Sequence, residues 1–340
     1  MACLAWAACL FLAGQDADRA QAPLQPVLAT EQVSADADDP AFWIHPSVPG
    51  KSLILGTDKI EATGGLYAFD LAGKTVQRIS GIDRPNNVDI EYGFELAGTT
   101  VDLAVVTERG QHRLRVFAID RESGKLRDVS GATGVFAGRE GEAGAPMGVG
   151  LWKRPGGETH AFVSSKTGPM EGYLHQYRLV ARNGLVDAVF VRTLGTFSGE
   201  GEIEALFVDD EKGRVFYCDE DYGIRWAHCD PATAGHGVFG TQKYQGDREG
   251  IALWRRAPGG PALVNSEQVK GGSQLVFYPR DGGAPRAIVP TTADDTDGLD
   301  IADVPLPGLP DGALVMMNSK DKNFLLFDLR DVRKRIQRGE

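Results

Sequence analysis

Short apolar runs recur along the chain between turns rich in Gly, Asp and Asn. One unit, an apolar strand, a polar turn and a second strand with an aromatic near its end, occurs as SLILGTDKIEATGGLYAFDL, VDLAVVTERGQHRLRVFAID, THAFVSSKTGPMEGYLHQYRL, GRVFYCDEDYGIRWAHCD, PALVNSEQVKGGSQLVFYP and GALVMMNSKDKNFLLFDL. Another short strand precedes each copy: DDPAFWIHP, NNVDIEYGF, PMGVGLW, EIEALFVDDE, DREGIALW and TDGLDIADV, starting near 38, 86, 146, 202, 247 and 296. The spacing of roughly 45 to 60 residues suits a blade of four strands, and six copies predict a six-bladed β-propeller. No long amphipathic helix pattern interrupts this series, so the class is all-β. A pair of β-sandwiches is the rival arrangement, but it does not call for six copies. The stretch QPVLATEQVSA stands ahead of the first inner strand. It is free to complete the last blade, pairing the N- and C-terminal segments and removing exposed sheet edges. Residues 23–340 therefore read as one propeller domain.

The N-terminal stretch MACLAWAACLFLAGQDADRAQA combines a short apolar run with a small-x-small site at Ala20 and Ala22. Residues 1–22 read as a signal peptide, which implies export to the periplasm or the medium. Cys3 and Cys9 would leave with it, and Cys218 and Cys229 remain. A turn near Tyr222 sets Cys218 opposite about Trp226, which favours two buried thiols over a disulfide. With 42% hydrophobic positions the 340-residue chain can bury a sizeable core. Its 47 acidic against 36 basic residues give a net charge of -11, which argues against nucleic acid or an anionic membrane as partner. No later segment reaches the length of a membrane span.

The acidic residues are concentrated where inner strands begin. Asp36, Asp38 and Asp39 open the first, Asn86, Asn87 and Asp89 the second, and Glu200, Glu202 and Glu204 the fourth. Asp247 and Glu249 open the fifth, and Asp294, Asp295, Asp297 and Asp300 the sixth; only the third is uncharged. In a propeller these starts converge on one mouth of the central channel, where carboxylates repel one another unless protons or cations intervene. Calcium accepts many oxygen ligands in irregular geometry and fits such a ring. The six histidines show no paired ligand spacing and there is no Cys-x-x-Cys, so zinc is disfavoured. The competing explanation is that Asp and Asn simply cap turns. Lys59, Arg109 and Lys166 follow the first strand of three successive hairpin units. Cations along one arc beside a calcium-loaded floor would receive phosphate groups.

The motifs DADDPAFWIHP, PNNVDIEYGF, GEIEALFVDDEKGRVFYCDEDYGI, DREGIALW and DDTDGLDI resemble, in order and across nearly the whole chain, the alkaline β-propeller phytases of bacteria. The resemblance implies a calcium-dependent hydrolase of myo-inositol hexakisphosphate, met as its calcium salt and cleaved by metal-activated water without a covalent enzyme intermediate; a closed propeller needs no partner, so a monomer is expected. It implies a metal-holding set of Asp38, Asp39, Asn87, Glu204, Asp209, Glu220, Asp221, Asp247, Glu249, Asp295 and Asp297. Within that set Asp38, Asp39 and Asn87 belong to a first calcium region, and Glu204, Glu220, Asp247, Glu249 and Asp295 hold the catalytic ions. Lys59, Arg109 and Lys166 clamp substrate phosphates. The chain departs from the family pattern at Met147, where an aromatic is usual, and at Ile60 and Thr167 in place of a second Lys and an acid. Two other function classes stay open: a six-bladed sugar-lactone hydrolase, and a calcium-stabilised propeller that binds a partner without catalysis.

Overall fold

A computed structural model of the chain describes residues 22–338. The signal-peptide reading, with Cys3 and Cys9, lies outside the described residues except for its last position.

Among the described residues, twenty-four strands form six four-stranded antiparallel sheets. Blade 1 holds β2 (Ala37–Trp43), β3 (Leu53–Asp58), β4 (Gly64–Phe69) and β5 (Thr75–Ile82). Blade 2 holds β6 (Pro85–Leu96), β7 (Thr99–Glu108), β8 (Arg113–Ile119) and β9 (Leu126–Asp128). Blade 3 holds β10 (Pro146–Lys153), β11 (Thr159–Ser165), β12 (Glu171–Arg182) and β13 (Leu185–Thr196). Blade 4 holds β14 (Leu206–Asp209), β15 (Arg214–Asp219), β16 (Gly223–His228) and β17 (His236–Phe239). Blade 5 holds β18 (Arg248–Trp254), β19 (Ala262–Glu267), β20 (Gln274–Pro279) and β21 (Ala287–Pro290). Blade 6 takes β22 (Leu299–Ala302), β23 (Ala313–Asn318) and β24 (Asn323–Asp328) from the end of the chain and its outer strand β1 (Leu28–Ala29) from the beginning.

The expected closure is present: Leu28 faces Leu326 and Ala29 faces Leu325 in antiparallel register. Just ahead of it, Leu24 bridges Thr291 at the edge of blade 5. The N-terminal segment thus ties two blades.

Second strands such as β3 and β23 are buried along their whole length, because each blade packs against neighbours on both faces. Their sequences are accordingly mostly apolar, whereas the outer strand β5 alternates half-buried and exposed positions. The core divides into six apolar wedges, one in each gap between blades, exemplified by Trp43, Leu55 and Phe117 between blades 1 and 2. A short helix, α1 (Leu329–Arg338), follows the last strand and seats Leu329 and Val332 in the wedge between blades 5 and 6. No helix among the described residues is long and apolar enough to cross a membrane.

Two sequence expectations shift. Inner strands of blades 4 and 6 begin at Leu206 and Leu299 rather than near 202 and 296, so Glu202, Glu204 and Asp297 lie on entry loops. There the main chain still bonds across, Glu220 N–H to Glu202 O at 3.2 Å and Gly250 N–H to Asp297 O at 2.8 Å, but outside regular ladders. Cys218 pairs with Ile224, and Trp226 with Phe216, because the turn is tighter than the sequence indicated. Both cysteines are free, buried thiols.

Candidate active site

An antiparallel blade returns its second strand to the level where its first strand began. That geometry places Lys59 after β3, Arg109 after β7, Lys166 after β11 and Glu220 after β15 at one end of the channel. Asp38, Glu202, Glu204, Asp247, Glu249 and Asp297 reach the same end from the starts of inner strands or the loops leading into them.

The Lys59 ammonium stands 2.5 Å from Asp38 Oδ1 and 3.3 Å from Asp297 Oδ2, bridging blades 1 and 6. Gln268 Nε2 donates to the other Asp297 oxygen at 2.5 Å. Lys166 pairs with Glu202, whose N–H donates to Glu220 Oε2 at 2.8 Å. Arg109 Nη1 donates to Asn86 Oδ1 at 2.9 Å, and the Asn86 amide donates to Asn87 Oδ1 at 2.9 Å.

The floor between these groups is electrostatically crowded. Glu204 is pushed up to about 7 by burial and by the Asp38 and Glu202 carboxylates, against which Lys59 and Arg109 pull it down. Glu220 is pushed up to about 8 by burial, then by Glu204 and Glu202. Glu249 is 5% exposed, is raised well above the usual carboxylate range by burial and by Glu204 and Glu220, and its Oε2 is buried with no hydrogen-bond partner. At the exposed rim Asp247 is raised by desolvation, Asp221, Glu202 and Asp295. Asp295 sits in a left-handed backbone conformation, φ 48°, that turns the entry loop of blade 6 toward this rim.

The structure therefore brings Lys59, Arg109 and Lys166 around Glu202 and Glu204, and gathers Asp38, Glu220, Glu249 and Asp297 with them. Asp221, Asp247 and Asp295 occupy the rim. Three members of the sequence-derived set stand elsewhere. Asp39 and Asn87 line a void of about 40 Å³ in the channel itself, to which all six blades contribute. Asp39 Oδ2 accepts the Val88 N–H of the next blade at 2.9 Å. Asp209 ends β14, three residues down the strand from Leu206, and its two oxygens accept Arg280 Nε at 2.6 Å and Nη2 at 2.5 Å. It was expected among the metal ligands because it lies in an acidic motif; its carboxylate is instead committed to a buried ion pair. Met147 is fully buried, so its side chain offers no surface where the family pattern has an aromatic.

Sequence reading noted Glu202 and Asn86 among the acidic and amide starts but did not select them. Alternation along the entry loop, Glu200, Glu202, Glu204, was the usable signal. Gln268 and Arg248 carried none, since each matters only through a partner from another element.

The donor set suits a hard divalent cation: oxygen ligands from separate loops, an orphaned buried carboxylate oxygen on Glu249 and mutual repulsion that counter-charge would relieve. Among the described residues no three His, Cys, Asp or Glu side chains already form a closed ligand cluster. The Lys59 ammonium occupies the space between Asp38 and Asp297.

Fold and channel mouth together define a six-bladed propeller hydrolase whose site opposes an arc of cations to a carboxylate floor. The chain belongs to the phytase family, whose sequence profile matches residues 7–315, and so to the phosphoric monoester hydrolases. It is 29% identical over 302 residues to the 3-phytase of Bacillus subtilis (strain 168), covering 84% of this chain and 75% of that protein. The crystal structure of a candidate 6-phosphogluconolactonase from Bacteroides uniformis ATCC 8492 superposes with a TM-score of 0.53, at 16% identity over 85% of this chain and 80% of that one. That likeness shows the fold alone.

Proposed function

We propose that the chain hydrolyses phosphate monoesters of myo-inositol hexakisphosphate at this channel mouth, with several calcium ions as cofactor. The observation that carries the reading is the opposition of Lys59, Arg109 and Lys166 from three consecutive blades to Glu204, Glu220, Glu249 and Asp297 from the next three. A polyanion approaching a chain of net charge -11 needs such a local reversal of sign.

Calcium, when bound by Asp38, Glu204, Glu220, Asp247, Glu249, Asp295 and Asp297, supplies positive charge against phosphoryl oxygens and acidifies water. Arg109 offers a planar fork that matches two phosphate oxygens, and the lysines act as point charges on a second group. Burial of Glu249 and half-burial of Glu204 limit screening of these interactions by bulk water. Asn86 orients Arg109 through the hydrogen bond described above.

The same reading takes the substrate as its calcium salt, the protein as a monomer closed upon itself, and the location as secreted or periplasmic. The test is phosphate release from phytate by the purified chain with millimolar calcium and with chelator. Release only with calcium supports the proposal; a folded chain that releases nothing in either condition refutes it. A sugar-lactone hydrolase would need only one central metal, and the three phosphate-facing cations have no part in that chemistry.

A further inference from the structure

Arg248 opens β18 between Asp247 and Glu249, two residues of the site, and is 3% exposed. A buried guanidinium normally faces a carboxylate, since an unpaired buried charge is costly. Among the described residues Arg248 has no such ion pair. Its donors converge on main-chain carbonyls of blade 4 and of the connection to blade 5: Nη1 to Glu220 O at 2.5 Å, Nε to Gly240 O at 3.2 Å, and Nη2 to Gln242 O. The guanidinium lies over the Tyr244 ring, 4.2 Å from its centre. Tyr244 in turn donates to Asn265 Oδ1 at 3.0 Å, and Asn265 Nδ2 donates to the carbonyls of Glu249 at 2.8 Å and Gly250 at 3.0 Å. The chain of contacts leaves Arg248, passes through a ring and an amide, and returns to the neighbouring residue.

We propose that Arg248 is a positioning residue of the phosphate site: by holding the Glu220 carbonyl it sets where the Glu220 carboxyl group stands relative to Asp247 and Glu249 of the next blade. The inference rests on the phytase reading above. Only arginine does this. Its rigid fork reaches carbonyls on two loops at once, and the Glu220 side chain, hydrogen-bonded among the described residues to the Glu202 N–H alone, inherits the position of its main chain. Lysine keeps the charge and loses the fork.

The experiment compares Arg248→Lys, Glu220→Gln and the double variant, measuring phosphate release from phytate in calcium and calcium binding by titration calorimetry. Arg248→Lys is expected to lower kcat about 100-fold while KM moves less than about threefold, because small misplacement of a reacting group costs turnover. Calcium binding weakens in the same variant. The double variant is no slower than Glu220→Gln, since the two losses share one cause. Turnover of Arg248→Lys within about twofold of the parent, or losses that multiply in the double variant, overturns the proposal. Should Arg248→Lys fail to fold, Tyr244→Leu removes the ring beneath the guanidinium and keeps its donors. A kcat-selective loss there upholds the proposal, and an unchanged kcat overturns it. The parent chain decides the phytase reading separately: if it releases no phosphate that reading falls, and non-additive calcium binding in Arg248→Lys and Glu220→Gln still decides whether Arg248 acts through Glu220.

Discussion

Replacing Lys59 by Met tests the electrostatic logic of the channel mouth most directly. The Lys59 ammonium is the only cation within ion-pair distance of Asp38 among the described residues, at 2.5 Å, and the Asp38 side chain is 1% exposed. Neither Asp38 oxygen has a well-formed hydrogen bond to fall back on. Asp297, 3.3 Å from the same ammonium, keeps Gln268 as a second partner. Methionine preserves the length of the stem, so the change isolates the charge. Removing one partner from a buried pair costs about 3–5 kcal/mol, because the surviving charge is left in a low-dielectric site. In a chain of 340 residues that corresponds to a fall of about 4–7 °C in Tm. The assay is thermal unfolding of parent and variant, each in chelator and in millimolar calcium. The full loss is expected in chelator. In calcium the loss shrinks to less than half, since a divalent ion shared by Asp38 and Asp297 supplies the missing counter-charge. Equal losses in both conditions would show that these two carboxylates do not take part in metal binding. No loss in chelator would show that the Lys59–Asp38 contact does not stabilise the fold.

Asp209→Asn should cost about 3–5 kcal/mol of stability by breaking the buried pair with Arg280, while calcium affinity and turnover per folded molecule stay at the parent's level; weakened calcium binding would return Asp209 to the site. Gly298→Ala should destabilise by about 1–3 kcal/mol or more and depress activity, since a Cβ there falls on the Asp39 carboxylate and within 2.8 Å of its Cα; a variant that melts with the parent refutes this packing. Glu91, at the opposite end of the channel, is pushed up to about 7 by burial and by Asp210. Between about 4.5 and about 7 the folded protein retains a proton that the unfolded chain has lost, so this group makes stability fall as pH rises across that window. Glu91→Gln should flatten the fall by about 3 kcal/mol, read as the difference between parent and variant in urea unfolding at pH 5 and pH 8; parallel curves refute the assignment.

The architecture was legible because it is repetitive. Six hairpin units with a strand ahead of each leave few alternatives, and the free stretch around Leu28 had one obvious partner in the last blade. Strand ends were less legible. Near Glu202 and Asp297 the alternating pattern continues through residues whose main chain has already left the ladder, and side-chain pattern does not register that change. That Lys59, Arg109 and Lys166 share one end of the channel was legible because they recur at one point in successive units. The Asp209 ion pair was not legible, because Val208, Asp209 and Asp210 look like any other acidic end of a motif; only the arrival of Arg280 from blade 5 distinguishes it, 71 residues away in sequence. Arg248 was invisible for the same reason, its partners being carbonyls.

Acidic residues serve two purposes in the channel, and hydrogen-bond accounting separates them. Asp39, Asp89 and Asp300 each accept a main-chain N–H from the next blade, Val88 at 2.9 Å, Leu151 at 2.7 Å and Phe42 at 2.7 Å. Inner strands have no neighbour on their channel side, and these carboxylates supply acceptors that a further strand would otherwise provide. Asp38 adjoins Asp39 in sequence, within the register irregularity between Ala37 and Pro40, and one carboxylate enters the channel while the other meets Lys59. The deep aspartates are engaged by backbone and stitch blade 6 to blade 1, blade 1 to blade 2 and blade 2 to blade 3. Those at the mouth face mainly side-chain donors, Lys59 for Asp38 and Asp297 and Lys166 for Glu202, and Glu249 Oε2 has no partner among the described residues. Lone pairs left over after the main chain has been satisfied are the ones a ligand can claim, and they lie at one mouth of the channel, where the cations of blades 1 to 3 also converge.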